Sequence, residues 1–475
     1  MRFSFSNNAA IPLALLLIIS YFSLFHQLGK APIQLWDESW YALNAQEMLE
    51  KGNPIEIFLL GKPDIANSKP PFAIWCMALS IQFWGFNELG ARFASAFFGL
   101  LAALVLYALG RRILNHPYKA LLLPLVLLSS QGFIAPHITR SGDTDSMLAF
   151  WILMQCICCH QFVKNTSTKK GHYWLVGLSL SVCFAILTKG VAGFLVLPGI
   201  LAWLLYTRNL KAVFNGWGWL VALTLFIILV PGYYWLRNEL TPGYFQSMLH
   251  FEIGGRLTQQ EYLNPTPLPF YYYYASMVQA HRFMPWVLVL LPAVFMVIKT
   301  PNSESRSVGL LLVFSLLSAS AFLAASSTKL FYYDASLYPL MSGIIGIAAG
   351  GVAANYVKPA RLLFLALFCY AFYHIQVNHH APSTPNSLKQ LIVTLRDKEY
   401  RPDSIYIINS DPNYALHFYA KQDRLAGYYN EVLQHTDPKL TAGKFILTEK
   451  YPREFDVNQK FILDTIYRLN ECSYY

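Results

Sequence analysis

Charge is scarce in this chain: Asp, Glu, Lys and Arg make up only 13% of its 475 residues, about half the share in an ordinary soluble domain. Hydrophobic residues reach 55%, and the mean hydropathy is +0.36. A water-soluble globule cannot hide that much apolar surface, so lipid must cover part of it. Cysteine is also sparse and unpatterned. Of seven in all, Cys156, Cys158, Cys159, Cys183 and Cys369 lie inside apolar runs. Neither a disulfide framework nor metal-type spacing is present, and these thiols read as small buried hydrophobes. There is no glycine-rich nucleotide loop and no internal repeat. The net charge of +10 is scattered between apolar runs rather than gathered in a basic patch, which argues against a nucleic-acid partner.

What is abundant is apolar sequence in span-length stretches. A bilayer core about 30 Å thick needs roughly 20 apolar residues per helix. Candidate spans fall at 9–28, 93–110, 119–136, 145–162, 173–188, 190–207, 215–236, 283–298, 308–327, 335–354 and 360–377, eleven in all. The first, Arg2 followed by an apolar run to Phe25, is read as an uncleaved span, being long for a signal peptide. With the N-terminus in the cytoplasm, every inner connection carries at least two of Lys or Arg, among them Arg111, Arg112, Lys164, Lys169, Arg208 and Lys358. The short outer loops carry one each: Arg140, Lys189 and Lys329. That distribution follows the positive-inside rule, and eleven spans deliver the C-terminal region to the outer face.

The expected organisation is therefore a mainly α, polytopic membrane domain over 1–380 and a small extracytoplasmic α/β domain over 381–475. Two outer loops are long, 29–92 and 238–282. In the first, Tyr41, Ala45, Met48 and Leu49 share a helical face that should end at Gly52. Phe72, Trp75, Cys76, Leu79 and Phe83 form a second stripe opened by Pro70-Pro71. Both read as interfacial helices. "FYYYYASM" in the second loop fits an aromatic belt. The Pro/Ser-rich "HHAPSTPNS" should link the domains. Beyond it, "SIYIINS" and "KFILTEK" read as strands, and "NSLKQLIVTLRDK" and "NYALHFYAKQ" as helices.

Nearly all ionisable groups near membrane depth collect on the outer side: Asp37, Glu38, Lys69 and Arg92; His137, Arg140, Asp143 and Asp145; Lys189; Lys329 and Asp334. Charge at membrane depth is costly, so such groups usually face a cavity or one another. Several cations in a partly dry site suit a phosphate. Carboxylates beside them suit general-base work on a hydroxyl. In a membrane the phosphate would be carried by a lipid, and the cations would stabilise charge developing on it as it leaves.

Five stretches in order carry a resemblance: "LWDESWYALNAQEMLEKGN", "NSKPPFAIWCMALSIQFWGFNELGARFASAFFG", "TRSGDTDSMLAFWILM", "ILTKG" and "TKLFYYDASLYPL". Together they resemble the GT-C membrane glycosyltransferases, and within them the bacterial family 39 enzymes, related to protein O-mannosyltransferases and the lipid A aminoarabinose transferase. The resemblance implies an inverting transfer of one sugar from a polyprenyl-phosphate donor to a hydroxyl or phosphate on a cell-envelope lipid, glycan or protein. It would occur at the outer face of an inner membrane. It implies that Asp37, in the Asp37-Glu38 pair, is the base, that Asp145 is the second-loop carboxylate, and that Lys69 contacts donor phosphate or sugar. Asp143 could share the role of Asp145. Arg140, Lys189 and Lys329 are candidates for the phosphate, and Tyr332 is a candidate hydrogen-bond donor. Each has a plainer alternative: Asp37 or Asp143 as a helix cap, Arg140 as partner of a nearby acid, the lysines as snorkelling side chains, Tyr332 and Tyr333 as belt aromatics. Glu252, Arg256, His281 and Arg282 could shape an acceptor entrance, and His137 reads as structural. Two departures stand out. Many relatives have arginine where this chain has Trp40. Aminoarabinose-type enzymes have an acidic residue, implicated in metal binding, where this chain has Ser68. No metal or other cofactor is therefore expected, although a divalent ion stays open. The rival readings are a lipid-linked sugar flippase, or a membrane anchor presenting the C-terminal domain.

Overall fold

The computed structural model describes residues 10–34, 37–252, 254, 268–352 and 357–379. In the C-terminal region it describes 405–408, 414–425, 430–433, 446–448 and 466–468. The fold is helical where the apolar runs lie. All eleven expected spans fall on helices, with shifted ends. The second begins at Glu88 rather than near residue 93, because Asn87 caps it by accepting the Gly90 N–H at 2.9 Å. The third is broken into Pro117–Ala120, Leu122–Leu128 and Gln131–Ile134. Among the described residues, five helices are long and apolar enough to cross a membrane by length and composition alone: Glu88–Leu114, Asp145–Lys164, Lys169–Phe194, Gly218–Leu240 and Ser303–Ala325. At 27 residues, Glu88–Leu114 is about 40 Å long.

The bundle packs around Leu106, Leu123, Leu127, Leu312, Leu340 and Ile344, all fully buried. Helix Leu337–Gly350 lies so close to Leu122–Leu128 that a Cβ on Gly346 would stand 2.6 Å from the Leu123 Cα. Away from this core, Leu220, Leu223, Ile227 and Ile228 on one helix and Leu288, Leu291 and Phe295 on another are exposed. Apolar faces of that extent need lipid.

Helix Asp37–Lys51 forms the first half of outer loop one, with both acids in its first turn, where the helix dipole favours negative charge. It stops at Gly52, at φ +62°. A short antiparallel hairpin follows, Phe58–Leu59 with Lys62–Pro63, turning through Leu60 and Gly61 at φ +52° and +82°. Helix Phe72–Trp84 comes next. Ala73, Ile74, Met77, Ala78 and Ile81 pack inward, while Leu79 and Phe83 of the expected stripe are exposed together with Trp84. Only the second half of the stripe faces outward as an interfacial helix requires, because Phe72, Trp75 and Cys76 pack partly buried against the core. In outer loop two, Phe270 and Tyr271 are exposed as a belt would have them, but Tyr273 is buried.

In the C-terminal region, strands Ile405–Ile408 and Ile446–Thr448 and helix Tyr414–Leu425 fall where the pattern placed them. Strands Asn430–Leu433 and Ile466–Arg468 complete a four-stranded sheet in which every paired neighbour is parallel. Most of the linker and the helix expected from "NSLKQLIVTLRDK" lie outside the described residues. Four of the cysteines, Cys156, Cys158, Cys159 and Cys183, are buried and free as expected, but Cys369 is exposed.

Candidate active site

Helix direction places the candidate residues at one end of the bundle. Asp145 starts helix Asp145–Lys164 and Lys189 ends helix Lys169–Lys189. Lys164 and Arg112 lie at the opposite end, where both reach Glu304, at 2.6 and 3.4 Å.

Glu38 anchors the site without facing it. Arg92 grips it through Nε to Oε1 at 2.6 Å and Nη2 to Oε2 at 2.9 Å. The Gln34 and Gly142 N–H groups donate to the same carboxylate, each at 2.8 Å. Arg92 also donates to the carbonyls of Leu28, Ala31 and Pro32. One buried ion pair thus ties the end of the first span, the Asp37 helix and the loop at Gly142 together. Glu38, expected among the catalytic residues, is fully engaged in this tie.

Beside it, the half-buried Asp37 carboxylate meets His137 and Asp143, with one ligand atom from each lying within 4.8 Å of the others. His137 sits at φ +66° and stacks on the Tyr332 ring at 4.7 Å, nearly parallel at 11°. Its Nδ1 lies 3.4 Å from Asp143 Oδ2. Asp143 accepts the Thr144 N–H at 2.6 Å, and its backbone is held by Ser95. Burial alone would raise the Asp143 carboxyl. The His137 hydrogen bond and the charges of Lys69 and Lys189 outweigh it and hold the group down at about 2. Burial likewise opposes a charged His137, yet the Asp143 bond and the surrounding acids, Asp37 among them, raise it.

Asp145 is 1% exposed and accepts both bonds of a forked contact from Lys189 Nζ, at 2.7 and 2.6 Å. That ammonium also lies over the Tyr333 ring at 4.7 Å and the Tyr332 ring at 5.5 Å. Lys69 donates to the Tyr41 hydroxyl and sits over that ring at 4.7 Å. Its charge reaches both Asp143 and Asp145. Lys329 donates to the Ser326 carbonyl at 2.5 Å. An open cavity adjoins these groups. Asp145, Lys189, Glu252, Ser326 and Tyr333 give it a polar end, and Leu148, Leu195, Phe322 and Leu323 give it apolar walls.

Arg140 is placed elsewhere. Among the described residues it meets neither an acid nor the cavity, and it donates to the carbonyls of Ser23 and His26 at 3.2 and 2.9 Å, at the C-terminal end of the first span. Burial and the nearby positive charge of Arg92 bring it down to about 10. Arg282 is drawn into a buried pair with Asp334 at 2.7 Å, whose other oxygen accepts the Tyr338 hydroxyl at 2.8 Å. His281 is exposed, and Arg256 lies outside the described residues.

Sequence reasoning missed Asp64, which knots loop one: its carboxylate accepts from Trp40 Nε1 at 2.6 Å, Asn44 Nδ2 at 3.0 Å and the Asn67 N–H at 3.0 Å. Trp40 is therefore held in the loop rather than offered to a ligand. Ser68 donates to Glu252 at 2.6 Å, bringing a carboxylate to the neighbourhood from which the Ser68 departure removes one. Among the described residues, Asp37, His137 and Asp143 are the group whose donors converge closely enough to suit a divalent ion, two carboxylates and an imidazole.

Residues 14–241 match the family model described as dolichyl-phosphate-mannose-protein mannosyltransferase. The solved structure of ArnT from Cupriavidus metallidurans bound to undecaprenyl phosphate superposes with a TM-score of 0.70 over 90% of this chain and 86% of that one, at 18% identity. This chain has the GT-C fold. The archaeal oligosaccharyltransferase AglB from Archaeoglobus fulgidus shares the GT-C fold less closely, with a TM-score of 0.55 and 14% identity, over 86% of this chain and 63% of that one. By sequence, an Aquifex aeolicus protein of unassigned function is 29% identical over 343 residues, 72% of this chain and 64% of that protein. The undecaprenyl phosphate-α-4-amino-4-deoxy-L-arabinose arabinosyl transferase 1 of Pseudomonas fluorescens is 28% identical over 288 residues, 59% of this chain and 50% of that enzyme. The chain thus spans about half to two-thirds of the length of these two relatives.

Proposed function

We propose that this GT-C chain is an inverting glycosyltransferase that moves one sugar from a polyprenyl-phosphate donor to a hydroxyl or phosphate on a cell-envelope lipid. The observation that carries the reading is the convergence of Asp37, Asp143, Asp145, Lys69 and Lys189, from four separate segments, beside a cavity that is polar at one end and apolar along its walls. A lipid phosphate has that same two-sided character. The enzymes named for undecaprenyl phosphate sugars among the relatives support the donor class, and the Lys/Arg distribution supports an extracytoplasmic site in an inner membrane.

In this mechanism Asp37 takes the proton as the acceptor oxygen attacks the anomeric carbon. The bond to the phosphate oxygen breaks on the opposite face, inverting the configuration. Lys69 and Lys189, with Lys329 beside Ser326 of the cavity lining, neutralise the departing phosphate. Glu38 holds the Asp37 turn in place, and Arg140 fixes the end of the first span. No step requires a metal. Were a divalent ion to bind, Asp37, His137 and Asp143 would hold it.

Purified protein given radiolabelled polyprenyl-phosphate sugar and a lipid extract tests the reading. Transfer should occur, and Asp37→Asn should abolish it while binding of the lipid phosphate is kept. Full turnover in that variant removes Asp37 from its role. Movement of intact donor across vesicles without transfer would replace the enzyme by a flippase. Label recovered on protein or glycan would reassign the acceptor.

A further inference from the structure

Helix Tyr414–Leu425, which follows the first strand of the C-terminal sheet, packs onto the segment that carries Asp37. Phe418, Tyr419 and Ala420 are 2% exposed or less and share a core with Tyr41, Ala42, Ala45 and Met48 of the Asp37 helix. The Tyr419 hydroxyl accepts the Ile33 N–H at 3.0 Å, four residues before Asp37, and donates to Glu88 at 3.1 Å. Tyr414 stacks on Trp40 at 5.3 Å, one helical turn after Asp37. Further along, Lys421 reaches Glu50 at 2.8 Å and Glu47 at 3.5 Å. Gln422 Nε2 donates to the Phe86 carbonyl at 3.1 Å, and the Phe86 and Phe418 rings meet at 4.5 Å.

We propose that this helix positions Asp37, with Tyr419 fixing the backbone at Ile33 before the turn and Tyr414 fixing the turn that follows Asp37. A tethered accessory domain would meet the membrane domain through exposed polar contacts. Here buried aromatics and a buried hydroxyl grip the Asp37 turn from both sides. Trp40 belongs to the same grip: Asp64 holds its indole nitrogen and Tyr414 covers its ring. The large indole thus meets a partner from the C-terminal region. Reaction depends steeply on such placement, and displacement of about 1 Å can cost on the order of 10²-fold in rate.

The proposal rests on the glycosyl-transfer reading, with Asp37 as base. The test uses the full chain in nanodiscs and the variants Tyr419→Phe, Tyr414→Ala and Tyr414→Phe. Three quantities are measured: kcat and KM for transfer, binding of undecaprenyl phosphate, and amide hydrogen exchange across residues 31–40. Tyr419→Phe and Tyr414→Ala should each lower kcat roughly 10-fold, leave lipid-phosphate binding unchanged and speed exchange across 31–40. Tyr414→Phe keeps the stack and should restore kcat. Wild-type kcat in the first two variants overturns the proposal. So does loss of lipid-phosphate binding in step with kcat, which would reduce the helix to general support. A wild-type chain that transfers no sugar would sink the functional reading instead. Exchange would still judge the grip, and unchanged exchange in both variants would overturn it.

Discussion

Removing the guanidinium of Arg92 should unsettle the outer half of the molecule in a way its partner can partly undo. Arg92 is 2% exposed and gives Glu38 two of its four hydrogen bonds. In Arg92→Leu the Glu38 carboxylate stays buried with only the Gln34 and Gly142 N–H groups, and three carbonyls lose a donor. Breaking a buried pair by removing one partner costs about 3–5 kcal/mol. In the double variant Glu38→Gln/Arg92→Leu, the amide oxygen can still accept from a backbone N–H and no unpaired charge remains. About 1–3 kcal/mol should then return, the scale of one buried unsatisfied polar group. Thermal unfolding in nanodiscs, followed by tryptophan fluorescence, should rank wild type first, the double variant second and Arg92→Leu last. A double variant no more stable than the single would refute the argument that uncompensated charge dominates. An Arg92→Leu protein as stable as wild type would show that the pair ties nothing together.

Other expectations separate the remaining groups. Lys189→Met should both weaken binding of lipid phosphate and destabilise the chain, because it leaves Asp145 buried without its cation. Lys69→Ala should weaken binding with little change in melting temperature. A titration-calorimetry and unfolding comparison in which the two variants behave alike would contradict this. Asp143 is held at about 2 and His137 is raised. The contribution of Asp143 is therefore present above about pH 4 and lost as pH falls toward 2. That of His137 is full below about pH 6.5 and lost as pH rises through its folded value. The stability gap between wild type and His137→Ala should accordingly be widest near pH 5 and shrink above neutrality; a gap that widens with pH would contradict the assignment. Transfer should also survive a chelator. Loss on chelation with rescue by a divalent ion would put a metal at Asp37, His137 and Asp143.

The membrane helices were legible because apolar runs between charged connections carry their own signal, and helix Asp37–Lys51 was legible because Gly52 marks its end. The identity of the residues that meet across the outer loops was legible mainly through the family resemblance. What each does there was less so, since a carboxylate's partner is not written beside it. Glu38 looks like a twin of Asp37 until Arg92, 54 positions away, claims it. Arg140 looks like a phosphate ligand until the first span turns its carbonyls toward it. The Leu60-Gly61 hairpin carries only half of the usual turn signature, with leucine where Asn or Asp would announce it. Strands Asn430–Leu433 and Ile466–Arg468 are too short and mixed to stand out before the sheet pairs them.

The stack of Trp40 on Tyr414 also bears on exchanging modules between relatives. A chimera that grafts the membrane portion of this chain onto a tail without an aromatic at the position of Tyr414 would leave the indole uncovered. Such hybrids should work only when positions 40 and 414 are transplanted together, so that two distant parts of the gene behave as a single unit of inheritance.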